Sequence, residues 1–381
     1  MSVALSEVLG EDAGAARDRV LERLRTYVEQ ESPSGDADRI EELAAMIAQD
    51  FRAANASAES VDADGMGEHV VARLKGITDG PHVLVLCHMD TVHPVGTLAK
   101  QPFAVRDGRA TGPGIYDMKA GIALVVEALH LLARKGNRPN RDVRVLVTAD
   151  EEVGSNTSRA LIEESAEGAF ATLVMEPCLP GGLAKTARKG VASYKVEVIG
   201  RAAHAGVEPE KGINAIHELV LQIPRMLELA NPAAGSTVSV GTIRGGTAVN
   251  VVAAHAQAEV DVRYGSAAEA LRIDTAMHNL ASITGAELRV QVQDARPPLE
   301  RTAGVIALYE QARAIAQELG HELGEGGTGG GSDGCFTAAL GIPTLDGLSA
   351  DGGGAHATHE HILVDDLPFR LALLTRMLEH L

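Results

Sequence analysis

The sequence predicts an α/β fold on a mainly parallel sheet, interrupted by an inserted α+β segment with the element order of a ferredoxin-like domain. Two observations carry this reading. Short, continuous apolar runs recur at VLVLCHMD (83–90), VRVLVTADEE (143–152) and ATLVMEP (171–177), with a helical stretch between the first two. That is the texture of parallel strands buried on both faces. From about Val191 the texture changes: SYKVEVIG (193–200) alternates apolar Tyr194, Val196 and Val198 with polar Lys195 and Glu197, as a strand with one solvated face does.

In chain order, residues 12–29 and 38–54 show helical spacing of apolar positions, and each run stops at a polar break. The 83–90 strand follows, then the helix DMKAGIALVVEALHLLARKG (117–136), which stops at Gly136, a residue suited to a left-handed helix end. The strands 143–152 and 171–177 complete the first half. The insert reads as strand 193–200, helix 213–229, strands 236–244 and 256–264, helix 267–284 and strand 287–294, a β-α-β-β-α-β order. After Pro297 and Pro298 come a helix (304–319), a glycine-rich loop, an apolar strand (341–346) and a closing helix (366–380). The expected partition is therefore 1–190 with 300–381 as one domain and 191–299 as the insert.

Composition narrows the function classes. With 381 residues, 45% of them hydrophobic and 23% charged, the chain can bury a full core. A formal net charge of −18 without a basic patch argues against nucleic acid. Tryptophan is absent and aromatics are 3%, which removes base-stacking platforms as well. The first twenty residues carry no basic n-region and no run of eighteen apolar residues occurs, so the expectation is a cytoplasmic protein without a membrane partner. Cys87, Cys178 and Cys335 lie far apart with no C-x-x-C, fitting neither a disulfide framework nor a thiolate zinc site.

The apolar runs all end in ligand-type residues. The first ends His88-Met89-Asp90, the second Asp150-Glu151-Glu152, the third Glu176, and Asp117 follows a GPGIY turn. In open α/β sheets, sites form beyond the carboxyl ends of the strands. One His-x-Asp or Glu-Glu pair alone reads as a hydrogen-bonded pair or a solvated loop. This many carboxylates at one sheet end would repel one another unless cations were bound there, and nitrogen and oxygen donors without thiolate suit zinc, manganese or cobalt.

The motifs HMDTV (88–92), GPGIYDMKAGIA (112–123), ADEEVGS (149–155), MEP (175–177), HAGVEPEKGINAI (204–216) and AHATHEHI (355–362) resemble those of the M20 metallopeptidase family, in the family's order. The resemblance implies a zinc-exopeptidase-like catalytic domain with an inserted dimerisation (lid) domain. It implies two Zn2+ ions, with Mn2+ or Co2+ as alternatives, bridged by Asp117. Glu152 and His356 would complete one site, His88 and Glu176 the other. Glu151 would be the general base for the attacking water, and Asp90 would accept the other ring proton of His88 and hold its tautomer. A common family form of the last motif reads His-x-x-Asn-Glu, whereas this chain has His356, Ala357, Thr358, His359, Glu360. The His-to-Glu spacing favours His356, with His359 and His361 as substitutes. His204, by resemblance, reaches another subunit's site to stabilise the oxyanion, which implies a homodimer through the insert, and Asn250 is a second donor candidate.

The loop GGTGGGSDG (326–334) lacks the Lys-Ser/Thr of a phosphate-binding P-loop. It reads instead as backbone passing close to substrate, with Thr328 and Gly331 offering hydrogen bonds. Arg263, Arg296 and Arg188 are candidate carboxylate clamps, since a planar guanidinium binds carboxylate with two parallel bonds. The glycine loop, the DVRY motif and the Arg-Pro turn look most like the glutamate carboxypeptidase branch, which implies a small-molecule or peptide substrate with a free carboxylate and release of glutamate or a similar residue. ARKG (187–190) is closer to the deacetylase branches, leaving an acetylornithine-type or succinyl-diaminopimelate-type amide hydrolase open. A non-catalytic metal-binding scaffold is disfavoured by the presence of Glu151, and a nucleotide-binding protein rests only on the glycine loop.

Overall fold

Six strands form the principal sheet in the order Ser57–Asp62, Glu68–Leu74, Arg141–Thr148, Thr78–His88, Ala171–Val174, Thr344–Leu345. These come from a computed structural model that describes residues 5–381. The last four strands pair in parallel, and the first two add an antiparallel edge. Alternate residues of the central strand feed two cores. Val83, Val85 and Cys87 join the larger one, with the helices Ala13–Glu29, Ala37–Ala53, Ala120–Lys135, Ala303–Glu318 and Leu367–His380. Leu84 and Leu86 join the smaller one, with Ile162, Ala166 and Phe336. Apolar side chains on both faces explain why the sequence shows a continuous run there instead of an alternation.

Several boundaries differ from the sequence expectation for identifiable reasons. The run at 83–90 pairs only to His88, that at 143–152 only to Thr148 and that at 171–177 only to Val174, while the last strand shortens to Thr344–Leu345. Beyond those ends the chain turns: Glu151–Val153 forms a 3-10 turn, and the Asp90 side chain takes the Glu151 and Glu152 N–H groups. The helix expected from 117 begins at Ala120, because Asp117 (φ −115°, ψ 96°) is not helical. The hairpin of Ser57–Asp62 and Glu68–Leu74 was not expected, since its mixed polar composition gives no clean period. Also new is a small antiparallel sheet in the order Gly352–Gly353, His361–Leu363, Arg109–Thr111, Ala104–Arg106.

The chain divides into two units. The first takes the described residues up to Ala187, Arg301–Gly327 and Ser332–Leu381; the second takes Arg188–Glu300 and Thr328–Gly331. The glycine tract groups with the second unit because Lys189 N–H donates to Thr328 O (3.0 Å) and Arg188 Nη1 to Gly331 O (2.6 Å).

The second unit has an antiparallel sheet in the order Thr237–Gly245, His255–Tyr264, Gly190–Ile199, Glu287–Arg296. This is a ferredoxin-like arrangement. The helices Ala215–Leu227 and Ala267–His278 supply Leu219, Met226, Ile273 and Met277 to a core with Val196, Val198, Val260 and Val262. Asn214 caps the first helix by accepting from Ile216 N–H and His217 N–H. The second helix stops at His278, short of the expected 284. Beyond it the buried Glu218 carboxylate captures the Ile283 and Thr284 N–H groups, an outcome no local pattern encodes. Among the described residues no helix is long and apolar enough to cross a membrane, and all three cysteines are buried and outside any disulfide.

Candidate metal centre

His88 stands at the end of the central strand with its side chain 2% exposed. Its Nδ1 lies 3.0 Å from the main-chain oxygen of Asp90 and 3.4 Å from Asp90 Oδ1. Both acceptors on this nitrogen belong to Asp90, the carbonyl being the nearer. The tautomer is set all the same, leaving Nε2 to face Asp117 Oδ1 (3.1 Å) and Glu176 Oε1 (3.4 Å). The Asp90 carboxylate is fully buried and takes the Glu151 N–H and Glu152 N–H, each at 3.2 Å, and the Ser34 hydroxyl at 2.7 Å. It therefore fixes the turn that presents both glutamates.

Two glycines bring the other segments in. At Gly114 (φ +69°) an added Cβ would lie 2.5 Å from Thr91 Cγ2, so only glycine permits the turn that delivers Asp117. At Gly121 a Cβ would lie 2.2 Å from Met175 O, so the Ala120–Lys135 helix can press onto the strand end that carries Glu176. His356 arrives on a loop, in the left-handed region at φ +62° with its side chain 52% exposed. Its Nε2 lies 3.4 Å from Asp117 Oδ2 and 3.2 Å from Glu152 Oε2. Asp117 thus presents one oxygen to each of two imidazoles, with Glu176 on one side and Glu152 on the other. Of the substitutes, His361 lies in a strand opposite Thr111 with Nδ1 on His359 O (3.0 Å); His356 is the histidine of this loop that meets Asp117 and Glu152.

The electrostatics match the crowding. Burial pushes Glu152 up, helped by the Asp117 and Glu151 charges, to about 8. Burial opposes ionisation at His88, but hydrogen bonds to Asp117, Asp90 and Glu176 outweigh it and hold its pKa well above the ordinary value. Hydrogen bonding to Asp117 raises His356 to about 9. Glu152 Oε1 is buried with no donor. Donor atoms of His88, Asp117 and Glu152 lie within 4.8 Å of one another, as do those of His88, Glu151 and Glu176. Imidazole and carboxylate donors in this density, one oxygen without a proton donor, and no thiolate among them fit borderline or hard divalent metal.

The remaining candidates lie in the second unit. His204 is exposed and pairs with Val251 in an isolated bridge, and Ala205 N–H donates to Asn250 O (2.9 Å), so His204 and Asn250 are neighbours. Gly206 N–H donates to His204 Nδ1 (3.1 Å), which leaves the proton of a neutral ring on Nε2. Arginines gather around the glycine tract. Arg188 reaches Gly331 O, Arg263 Nη1 lies 3.4 Å from Gly329 O, and a Cβ on Gly331 would lie 2.7 Å from Arg296 Cδ. Arg263 also pairs with Asp261 (Nη2–Oδ2 2.9 Å), and Thr328 is half-buried.

Sequence reading did not assign roles to His93, Ser34 or Glu360. The spacing of Glu360 from His356 was its only signal; the partners of all three lie far away in the chain.

Residues 84–380 match the profile described as peptidase family M20/M25/M40. The chain is 32% identical to carboxypeptidase G2 of Pseudomonas sp. (strain RS-16), covering 97% of this chain and 91% of that protein. It is 29% identical to the succinyl-diaminopimelate desuccinylase of Delftia acidovorans, covering 76% of this chain and 78% of the other. In fold it is similar to the crystal structure of aminopeptidase PepT from Bacillus cereus, with a TM-score of 0.80, 24% identity, and 95% and 98% of the two chains covered.

Proposed function

The chain belongs to peptidase family M20/M25/M40, and from that premise we propose that it is a two-cation hydrolase that releases glutamate, or a similar acidic amino acid, from an N-acyl or peptidyl partner. The observation that carries the reading is Asp117, with one oxygen toward His88 and the other toward His356. His88 and Glu176 would hold one cation, His356 and Glu152 the other, and Asp117 both. Zn2+ suits the donor set, with Mn2+ or Co2+ as alternatives. Bound there, the cations would supply an acidified water and polarise the scissile carbonyl.

This chain's own part is proton transfer and orientation. Glu151, its main chain anchored on Asp90, takes the proton of the attacking water and returns it to the leaving nitrogen. Asp90 and Ser34 hold the Glu151-Glu152 turn, so the base and the ligand beside it keep separate tasks. The arginines and amides around Thr328–Gly331 favour a substrate carboxylate. Arg263 and Arg296 are the clamps, and Thr328 and Gly331 the nearby hydrogen-bonding groups.

His204, with a proton on Nε2, is suited to donate to an oxyanion. We assign that task, with Asn250, to the active site of a second copy in a homodimer formed through the second unit. The exposed apolar stripe Val220, Leu221 and Leu227 on the Ala215–Leu227 helix supports such a contact.

The similarity to a desuccinylase favours a second reading, hydrolysis of an N-acyl diamino acid. One assay separates the two. The zinc-loaded protein is offered N-acyl and peptidyl glutamates, acetylornithine and succinyl-diaminopimelate, and amino-acid release is followed. Glutamate release, abolished by chelation, supports the first reading; turnover only of the other two moves the chain to the second.

A further inference from the structure

Glu360 is fully buried, yet it belongs neither to the candidate ligand set nor to the proton path. Its carboxylate is saturated. Oε2 accepts from Gly114 N–H (2.9 Å) and faces His93 Nε2 (2.6 Å), while Oε1 accepts from Tyr116 N–H (2.8 Å) and Asp117 N–H (3.0 Å). Three of these partners are successive polar points of the one turn that delivers Asp117. Convergent main-chain amides and an imidazole are the kind of environment that makes a buried carboxylate tolerable.

The other end of the clamp is the loop that delivers His356. Glu360 N–H donates to Ala357 O (3.2 Å) and Ala357 N–H to Gly354 O (2.9 Å), which closes the loop on itself. One residue on, His361 pairs with Thr111. The two loops therefore leave adjacent positions of one strand pair, and the Glu360 side chain is the strut between them. It spans 243 residues of sequence to reach Asp117 N.

The two halves of the centre depend on this strut unequally. His88 ends a strand of the principal sheet and Glu176 stands just past another, with side chains 2% and 9% exposed. His356 stands on a loop, in a left-handed backbone conformation and half exposed, and the contact between the two loops brings it to Asp117. We propose, building on the two-cation reading, that Glu360 is a positioning residue that sets the approach of His356 to Asp117. Its loss releases the cation held by His356, Glu152 and Asp117 while the cation on the His88 and Glu176 side stays.

The amide of Glu360→Gln has one acceptor oxygen, and on either side its NH2 group meets at least one amide donor, so the strut is weakened at unchanged volume. The test is Co2+ titration of chelator-treated, dialysed protein, followed by calorimetry and visible absorption, with cobalt content measured after gel filtration. Wild type should take two Co2+ per chain. Glu360→Gln should keep one at unchanged affinity and lose about 10–100-fold in the other, the usual effect of removing a group that supports a ligand, and excess Co2+ should restore its turnover. His93→Gln removes one bond of the strut and should weaken the same site by a smaller factor. If Glu360→Gln does not fold, His93→Gln decides alone. Equal weakening of both sites, or two unchanged sites, in the folded variant overturns the proposal. Fewer than two Co2+ in wild type would instead overturn the two-cation reading on which it rests.

Discussion

Glu152 in the first unit and Glu218 in the second are both glutamates withdrawn from water, and their surroundings drive them in opposite directions. Burial, Asp117 and Glu151 raise Glu152 to about 8, and its Oε1 has no donor. Burial also opposes the Glu218 charge. Bonds from the Thr284 hydroxyl, Gln222 and the Ile283 and Thr284 amides nevertheless bring it down to about 2. Burial alone does not tell function from structure; the donor inventory does. A carboxylate ringed by N–H groups keeps its charge, whereas one crowded by other carboxylates holds a proton until a cation replaces it.

The largest expected effect lies at the proton path. Glu151→Gln should lower kcat by about 10²–10⁴-fold with metal content unchanged; full activity, or loss of the metals, would remove Glu151 from its assigned role. Next is the opposed pair of substitutions. Glu218→Ala removes the acceptor of the Ile283 and Thr284 amides and should cost about 1–3 kcal/mol, read from urea unfolding. In chelator-treated protein, by contrast, Glu152→Gln should raise or preserve the melting temperature, because it removes a carboxylate that repels its neighbours. With saturating Zn2+ the same change should lower it. A Glu152→Gln protein destabilised to the same degree in chelator and in zinc would break the comparison.

The pH dependence follows from the sign of the Glu218 shift. Its folded pKa is depressed, so its stabilisation is present in full above the unfolded value of about 4.3 and is lost as pH falls through about 2. Hydrogen-exchange protection at the Ile283 and Thr284 amides should fall between those limits in wild type and stay flat in Glu218→Gln. The smallest effect belongs to the exposed pair Arg73–Glu59, where Glu59→Ala should change stability by less than about 1 kcal/mol. A larger loss would mean that surface pairing contributes more to this strongly acidic chain than solvent screening allows.

What the sequence determined by itself was whatever short-range pattern can encode. The continuous apolar run at 83–90, the change to alternation in 193–200 and the β-α-β-β-α-β order made the main strands and the insert legible. Ligand-type residues just past strand ends marked His88, Glu151, Glu152 and Glu176 before any distance was known. Tertiary structure alone decided the rest. Asp90 turned out to anchor the Glu151-Glu152 turn through its carboxylate, and to receive the nearer His88 contact on its carbonyl. The helix after Ala267 ended at His278, and beyond it Glu218, far back in the chain, accepts from the Ile283 and Thr284 amides. His356 meets Asp117 and Glu152 from a loop whose Glu360 accepts from Asp117 N–H, 243 residues earlier in the chain. The physical reason is one of range. Periodicity and caps act over a few residues, whereas a buried carboxylate takes whichever donors the fold brings within about 3 Å, and chain distance carries no information about which those are.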